Sequence, residues 1–300
     1  MKTGTIQPPV SLRQKKRART AYAIIIPFMV YIMLWNLVPM IYGIYLGFTE
    51  WNGLASSPKW VGLKNYQRFF QNPKYLQLLW RQFVLGVVSL SCNIVISFLV
   101  ALALNVKHKG RGFFRSVIYI PCLAATSVTT SIFLALLESP YGALDNVIVA
   151  LGGQPITWSY SAFWMFFWMI FYGVWKGIGP SAIIWLGGLQ GIDQSLYEAA
   201  MVDGANKRQR IRYITLPGLR YVAIYVFLTG IIGAMQMFDV VMFISGGGPY
   251  GSTDVLMYQI YRDGIINFNV GMAGAESTIL GIITSVFAVG FFLFTQKRKD

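Results

Sequence analysis

The feature of this sequence that most restricts its fold is the recurrence of long, nearly uncharged apolar stretches along the whole chain. A helix needs about 20 apolar residues to cross the hydrocarbon core of a bilayer. Hydropathy places six such stretches, Tyr22–Phe48, Gln82–Val106, Phe113–Leu137, Ala162–Gln190, Gly218–Ser245 and Gly271–Phe294. The sequence therefore predicts an all-α integral membrane protein with six transmembrane helices.

Composition supports the same fold class. Hydrophobic residues make up 55% of the 300 residues and charged residues only 12%, whereas soluble proteins average about 25% charged residues. A soluble chain of this length could not bury so much apolar surface, because single cores stop growing at about 250–300 residues. We therefore expect lipid to be the solvent for most of the chain, in the cell membrane.

The net charge of +14 is distributed in short basic clusters between the apolar stretches. If both termini are cytoplasmic, 18 of the 25 lysines and arginines lie on that side, which is the bias known for membrane proteins. We expect residues 1–21 to form a basic cytoplasmic segment, residues 22–296 a six-span domain and residues 297–300 a cytoplasmic tail. The clusters form no basic face with stacking aromatic residues, so we expect no nucleic-acid partner.

The sequence offers few groups for catalysis or metal binding. It contains one histidine, His108, and two cysteines, Cys92 and Cys122, that both fall in apolar stretches. These provide neither a Cys/His metal cluster nor a nucleophilic triad. Residues 246–253 resemble a phosphate-binding loop but lack its lysine, so they predict an extracellular turn. We therefore expect a chain that is not an enzyme and binds no cofactor or metal of its own.

Residues 191–217, between the fourth and fifth stretches, form the most informative connection, GIDQSLYEAAMVDGANKRQRIRYITLP. The pattern predicts a helix capped by Asp193, a turn at Gly204 and a second short helix before Pro217. From the pattern alone, an amphipathic loop lying on anionic headgroups explains this segment as well as a functional element does.

The residues of this connection, however, resemble the EAA loop of ABC importer permeases. The similarity lies in Glu198-Ala199-Ala200, Asp203-Gly204-Ala205 and Ile214-Thr215-Leu216-Pro217. Leu63-Lys64-Asn65-Tyr66 and Gly246-Gly247-Gly248-Pro249 also resemble the carbohydrate-uptake branch of that family. The resemblance covers nearly the full chain and makes residues 191–217, here called the EAA loop, the predicted coupling element.

The resemblance implies a permease subunit of a binding-protein-dependent importer, with carbohydrate, and an oligosaccharide in particular, as the favoured cargo. The EAA loop would dock on a separate ATPase subunit through Tyr197, Glu198, Ala199, Ala200, Asp203, Gly204, Ala205, Leu216 and Pro217. A second homologous permease, commonly a different chain in this branch, would complete the pathway. Two ATPase subunits, which would bind ATP and Mg²⁺, and an extracytoplasmic solute-binding protein would complete the assembly.

The sequence alone does not exclude other classes of transporter. An ABC permease for glycerol phosphate, polyamine or phosphate would have the same six-span layout and the same loop. A self-contained secondary transporter should show internal repeats or broken helices at corresponding positions in two halves, and no such repeat is evident. A membrane enzyme is disfavoured because the sequence lacks a catalytic constellation.

Polar groups within spans are costly and therefore indicate function. We expect the buried ammonium of Lys176 to pair with Asp239 or Glu276 unless it contacts substrate. In similar sugar permeases, the spans that flank the EAA loop line the substrate pathway. The resemblance makes pathway candidates of Gly173, Lys176, Gly177, Pro180, Gly230, Ala234, Gln236, Met237 and Asp239. Small residues at helical spacing equally indicate close helix packing, so both interpretations stay open.

Overall fold

The computed structural model describes residues 12–106 and 109–296, with side chains from 19 to 106 and from 109 to 295. This part of the chain is helical apart from its connections and one short antiparallel hairpin, β1 (Thr49–Glu50) with β2 (Lys59–Trp60). The all-α prediction is confirmed. The first residues of the basic N-terminal segment, His108 and the tail 297–300 lie outside the described residues.

The helical segments follow in the order α1 (Leu12–Ile32), α2 (Val38–Leu46), α3 (Lys64–Gln71), α4 (Pro73–Asn105), α5 (Arg111–Leu123), α6 (Thr126–Leu137), α7 (Ala143–Ala150), α8 (Ala162–Gln190), α9 (Gln194–Val202), α10 (Lys207–Arg210), α11 (Leu216–Gly218), α12 (Arg220–Met235), α13 (Leu256–Tyr261) and α14 (Val270–Gln296). Shorter turns connect or extend them, a 3₁₀ turn at Trp158–Tyr160 and π-helical turns at Met33–Leu37, Ile211–Thr215, Val241–Ser245 and Arg262–Ile266.

Four helical stretches are long and apolar enough to cross a membrane, Arg19–Leu46, Pro73–Asn105, Ala162–Gln190 and Val270–Thr295. Two helix pairs with a sharp bend pass the same test together, α5 with α6 at 96° and Lys207–Gly218 with α12 at 67°. The count reaches six when each bent pair is taken as one span. This number agrees with the hydropathy prediction, and α8 has the predicted bounds of the fourth span.

The third and fifth spans are interrupted, although the hydropathy pattern predicts continuous helices. Ala124 and Ala125 separate α5 from α6 in extended conformation. The predicted fifth span, Gly218–Ser245, has its helix end at Met235, and helical turns resume only at Asp239. Hydropathy cannot reveal these breaks because both sides of each break are apolar.

The centre of the bundle is the packing of α4 against α8. One buried cluster joins Leu85 of α4 and Met169 and Tyr172 of α8 to Val241, beyond the fifth-span break. A second cluster, around Trp185 and Val226, connects the same two helices to α12. Helices α8 and α12, which flank the EAA loop, are therefore both packed against α4.

Gln82 on α4 bonds backbone groups at the fifth-span break and at the start of α13. Its side chain is fully buried. The Nε2 group donates to the carbonyl of Ala234 at 3.1 Å and to that of Met237 at 3.4 Å, while Oε1 accepts from the N–H of Met257 at 3.1 Å. Because hydrocarbon supplies no hydrogen-bonding solvent, this one amide fixes the break and ties α13 to α4.

We expect Gln82→Leu to lower the free energy of unfolding by about 2–4 kcal/mol, because it leaves buried backbone groups without partners. The measurement is the thermal unfolding midpoint of the purified protein in detergent. Gln77→Leu is the matched control, since Gln77 lies on the same helix with an exposed side chain. Equal midpoints for the two variants would contradict the role assigned to Gln82.

Candidate EAA loop and central cavity

The EAA loop begins with a capped helix, as its sequence predicts. Oδ1 of Asp193 accepts from the N–H of Ser195 at 2.9 Å at the start of α9. Hydrogen bonds from the backbone and the hydroxyl of Ser195 lower the pKa of Asp193 below its ordinary value. A carboxylate whose pKa is lowered by folding stabilises the fold at pH values above its ordinary pKa. This stabilisation is lost as the pH falls through the lowered pKa. The cap is therefore fully formed at neutral pH.

Gly204 follows α9 with a φ of +78°, in the left-handed region that favours glycine. A Cβ placed on Gly204 would meet no atom of the chain within 4 Å. The requirement for glycine inside this chain is therefore conformational and does not come from crowding. The second helix then starts with a reciprocal cap, in which Asn206 and Gln209 exchange hydrogen bonds of 3.0 and 2.7 Å. The N-x-x-Q spacing is the sequence signal for this cap.

The two halves of the EAA loop are joined by Tyr197. Its hydroxyl lies 2.9 Å from Oγ1 of Thr215, a buried residue of the π-helical turn before α11. Sequence spacing gives no indication of this bond, because the two residues are 18 positions apart. The bond makes α9 and the entry to α12 one connected unit.

The remaining predicted coupling residues differ in exposure. Six of them are exposed, namely Glu198, Ala199, Asp203, Gly204, Leu216 and Pro217, and two are half-buried, Ala200 and Ala205. Large apolar side chains beside them are also open to the outside: Leu196 is 53% exposed, Met201 50% and Val202 89%. The loop therefore presents an apolar surface that its own chain does not cover.

A cavity of about 480 Å³ lies between α4, α5, α8 and α12; we call it the central cavity. It gathers eight of the predicted pathway residues, Gly173, Lys176, Gly177, Pro180, Gly230, Gln236, Met237 and Asp239. The ninth, Ala234, lines an adjoining cavity of about 210 Å³ that shares several of these residues. Residues of the fourth span and residues of the fifth span therefore line the same cavity.

Several polar residues of the central cavity are absent from the predicted set. Asn93, Ser181, Tyr225 and Thr229 line it together with Tyr172. Ser181 lies four residues after the predicted Gly177, which places it on the same helix face. Helical periodicity is the signal for Ser181, and a polar group within a span is the signal for Asn93.

Lys176 does not form the ion pair that we predicted. Its Nζ donates to Oγ1 of Thr126 at 2.5 Å, and among the described residues the single ion pair joins Arg262 to Asp254. Neither predicted partner forms an ion pair with Lys176. Asp239 accepts from the N–H of Val240 at 2.9 Å, and Glu276 is fully buried beside Asp263.

The ammonium of Lys176 is instead part of a hydroxyl cluster at the third-span break. The hydroxyls of Tyr172 and Thr129 are 2.5 Å apart, and the hydroxyl of Tyr172 also lies 3.4 Å from the carbonyl of Thr126. Because these partners are neutral, the charge of Lys176 is left available to the central cavity. Asp239 is the acidic side chain among the described residues that line it.

The small residues of the cavity also serve helix packing. A Cβ on Gly177 would lie 2.7 Å from the amide nitrogen of Asn93, and a Cβ on Gly230 would clash with Leu90. Both glycines therefore allow α4 to approach α8 and α12 closely. The same glycines therefore allow close helix packing and line the central cavity, so the two interpretations of the small residues do not exclude each other.

The opposite end of the bundle carries the Gly/Pro-rich turn predicted at residues 246–253. Gly246, Gly247, Tyr250 and Gly251 have φ between +52° and +84°. The turn is held by Thr253, whose hydroxyl donates to the carbonyl of Gly248 at 2.6 Å. The connection that follows contains α13, which the sequence pattern did not predict.

Comparison with known proteins identifies the family. The family described as "Binding-protein-dependent transport system inner membrane component" matches residues 93–297. The trehalose/maltose transport system permease protein MalF of Thermococcus litoralis is 27% identical over 288 residues, covering 95% of this chain and 96% of that protein. The lactose transport system permease protein LacF of Rhizobium radiobacter is 32% identical over 284 residues, with 93% and 92% covered.

The fold is also similar to that of a solved structure. A chain of a bacterial ABC transporter involved in the import of the acidic polysaccharide alginate superimposes with a TM-score of 0.84 at 22% identity, over 96% of this chain and 99% of that one. Sequence match, fold and the position of the EAA loop agree. The chain therefore belongs to the family of binding-protein-dependent transport system inner membrane components.

Proposed function

We propose that this chain is one permease subunit of an ATP-driven, binding-protein-dependent carbohydrate importer, and that its cargo is an oligosaccharide. The observation that carries the proposal is the central cavity, which gathers hydroxyl, amide and charged groups on the two spans that flank the EAA loop. Sugar hydroxyls are recognised by such groups, which both donate and accept hydrogen bonds. The sugar permeases similar to this chain support the same cargo class.

One observation favours a second candidate cargo. The ammonium of Lys176 faces the central cavity with a neutral hydroxyl as its hydrogen-bond partner. A phosphate ester such as glycerol phosphate would place a negative charge opposite this ammonium, whereas a polyamine would be repelled by it. Carbohydrate stays the first candidate because Asp239 balances the charge of the cavity lining.

A second permease would close the pathway. The central cavity is walled by helices of one chain on one side, and six spans form half an enclosure. The first span supports a partner, since none of its most apolar 18-residue window is buried within this chain. We infer a heterodimer with a homologous permease, because the carbohydrate branch of the family commonly uses two different chains.

Two ATPase subunits would dock on the EAA loop and would bind ATP and Mg²⁺. The apolar surface around α9 fits the cleft of such a partner. A displacement of α9 passes through the Tyr197–Thr215 bond to α11 and α12, and so to the wall at Gly230. Closure of the ATPase pair would thereby move the cavity between inward-facing and outward-facing states as rigid bodies.

The orientation in the membrane follows from the same proposal. The EAA loop, residues 1–21 and residues 297–300 lie in the cytoplasm, and residues 22–296 form the permease domain. The long connections at the other end, including the turn at residues 246–253, face the solute-binding protein. The excess of lysine and arginine on the EAA-loop side supports this arrangement.

The experiment that tests the function is purification of the tagged chain with its co-purifying proteins, followed by ATPase assays in proteoliposomes. We expect a second permease and an ATPase subunit, with hydrolysis stimulated by an oligosaccharide together with its solute-binding protein. Stimulation by glycerol phosphate alone would favour the second candidate. A chain that purifies alone and moves solute without ATP would overturn the proposal.

We expect Gly204→Val to uncouple ATP hydrolysis from transport. A β-branched residue at φ +78° costs about 1–2 kcal/mol locally and distorts the turn. Gly204→Asn is the matched control, because asparagine tolerates this conformation and the surrounding space is open. Uptake per ATP hydrolysed is the quantity to compare, and Glu198→Lys should resemble the valine variant. Similar values for Gly204→Val, Glu198→Lys and the unmodified protein would refute the docking role.

We expect Lys176→Met to reduce uptake by about tenfold or more, since a hydrogen bond from a charged group to the cargo contributes about 1.5–3 kcal/mol. Lys176→Arg should retain part of the activity, and Lys59→Met, at an exposed position of β2, serves as the control. The thermal unfolding midpoint separates a transport effect from a folding effect. Unchanged uptake in Lys176→Met would remove Lys176 from the pathway.

A further inference from the structure

A second cavity, here called the side cavity, lies at the end of the bundle that carries the EAA loop. It has a volume of about 470 Å³ and is formed by α4, α8, α12 and α14. Leu216 and Pro217 of the EAA loop are part of its lining, and none of its lining residues belongs to the central cavity. The side cavity is therefore a separate site from the one that the proposed function uses.

Arg220 is the charged group of the side cavity. Its Nη2 donates to the carbonyl of Thr295 at 2.5 Å, which links the start of α12 to the end of α14. This single bond engages one of the five guanidinium donors. No carboxylate of residues 12–106 and 109–296 pairs with Arg220, so within this part of the chain its charge faces only a neutral carbonyl.

Trp185 contributes an aromatic ring to the lining of the side cavity. The side chain is only 5% exposed, and its indole nitrogen is closed off from the cavity. The ring therefore presents an apolar surface close to Arg220, which leaves the guanidinium as the polar group of the site.

The remaining wall is apolar and aromatic. The rings of Phe227 and Phe291 stack with their centroids 3.9 Å apart, and Phe294 stands beside them with 65% of its surface exposed. Along α12, the seven residues from Arg220 to Phe227 correspond to a rise of about 10 Å. The side cavity thus combines a cationic end near the EAA loop with an apolar end deeper in the membrane.

We propose that the side cavity binds an anionic phospholipid of the surrounding membrane, with its phosphate on Arg220 and an acyl chain against the aromatic wall. A guanidinium matches the geometry of a phosphate through parallel hydrogen bonds. Basic pockets between transmembrane helices on the cytoplasmic side bind anionic headgroups in this manner. Because Leu216 and Pro217 line the same cavity, the bound lipid supports the junction between the EAA loop and α12.

The test uses the full chain co-purified with its partner subunits in detergent and stripped of lipid. Phosphatidylglycerol and phosphatidylcholine are titrated separately, with bound lipid counted by native mass spectrometry and the thermal unfolding midpoint recorded. We expect phosphatidylglycerol to bind more tightly and to raise the midpoint. Arg220→Gln should weaken phosphatidylglycerol binding by about tenfold, and Lys109→Gln, an exposed cation on another loop, should leave it unchanged.

A second variant covers the case in which Arg220→Gln fails to fold through loss of its bond to Thr295. Ala223→Phe fills the apolar part of the side cavity, leaves Arg220 in place, and should weaken phosphatidylglycerol binding as well. Equal binding of the two lipids, or unchanged phosphatidylglycerol binding in the variants that fold, would overturn the proposal. So would binding that occurs with the isolated chain but not with the assembly, since a partner subunit would then cover the cavity. None of these outcomes depends on which cargo is transported.

Discussion

The structure depends on the requirement that every backbone polar group inside the hydrocarbon find a partner within the protein. The bundle contains two breaks that violate the simplest solution, an uninterrupted helix. At the fifth-span break the amide of Gln82 bonds the carbonyls of Ala234 and Met237. At the third-span break the hydroxyl of Thr129 donates to the carbonyl of Ala125 at 3.1 Å, beside the hydroxyl of Tyr172. Irregular backbone is tolerated at these places because it is covered by protein or lines a cavity.

The central cavity is lined by Gln236, Met237 and Asp239 of the fifth-span break. It is connected to the third-span break through Tyr172 and Lys176, which line the cavity and contact the carbonyl and the hydroxyl of Thr126. The need to satisfy the two breaks thus accounts for part of the polarity of the cavity. The EAA loop joins α8 to α12, the two helices that bring these breaks together, so the loop and the cavity are connected by short, packed paths.

The sequence allowed the class, the six spans, the capped turn of the EAA loop and eight of the nineteen lining positions of the central cavity to be predicted. These features depend on hydropathy, local capping and helical periodicity, which are properties of neighbouring residues. The third-span break could not be predicted, because Ala124 lies in apolar surroundings like those of any span. At the fifth-span break, Gln236 and Asp239 are polar residues within an apolar stretch, but they do not show where the helix ends. Gln82 marked only the edge of a predicted span, and its partners are more than 150 positions away. For Lys176, charge suggested an acidic partner, whereas the bend between α5 and α6 brings a hydroxyl closer.

The weak packing of the first span affects how stable the chain is without a partner. It contributes almost nothing to the core of its own chain and carries Asn36 on an exposed face within its π-helical turn. In the proposed heterodimer, the stability of each permease would depend on the concentration of the other, because association removes unassembled chains by mass action. A surplus copy would keep its first helix and a polar amide exposed to lipid and would lack the stabilisation that association provides. The poorly packed N-terminal helix would thereby make the stability of each chain depend on the amount of its partner.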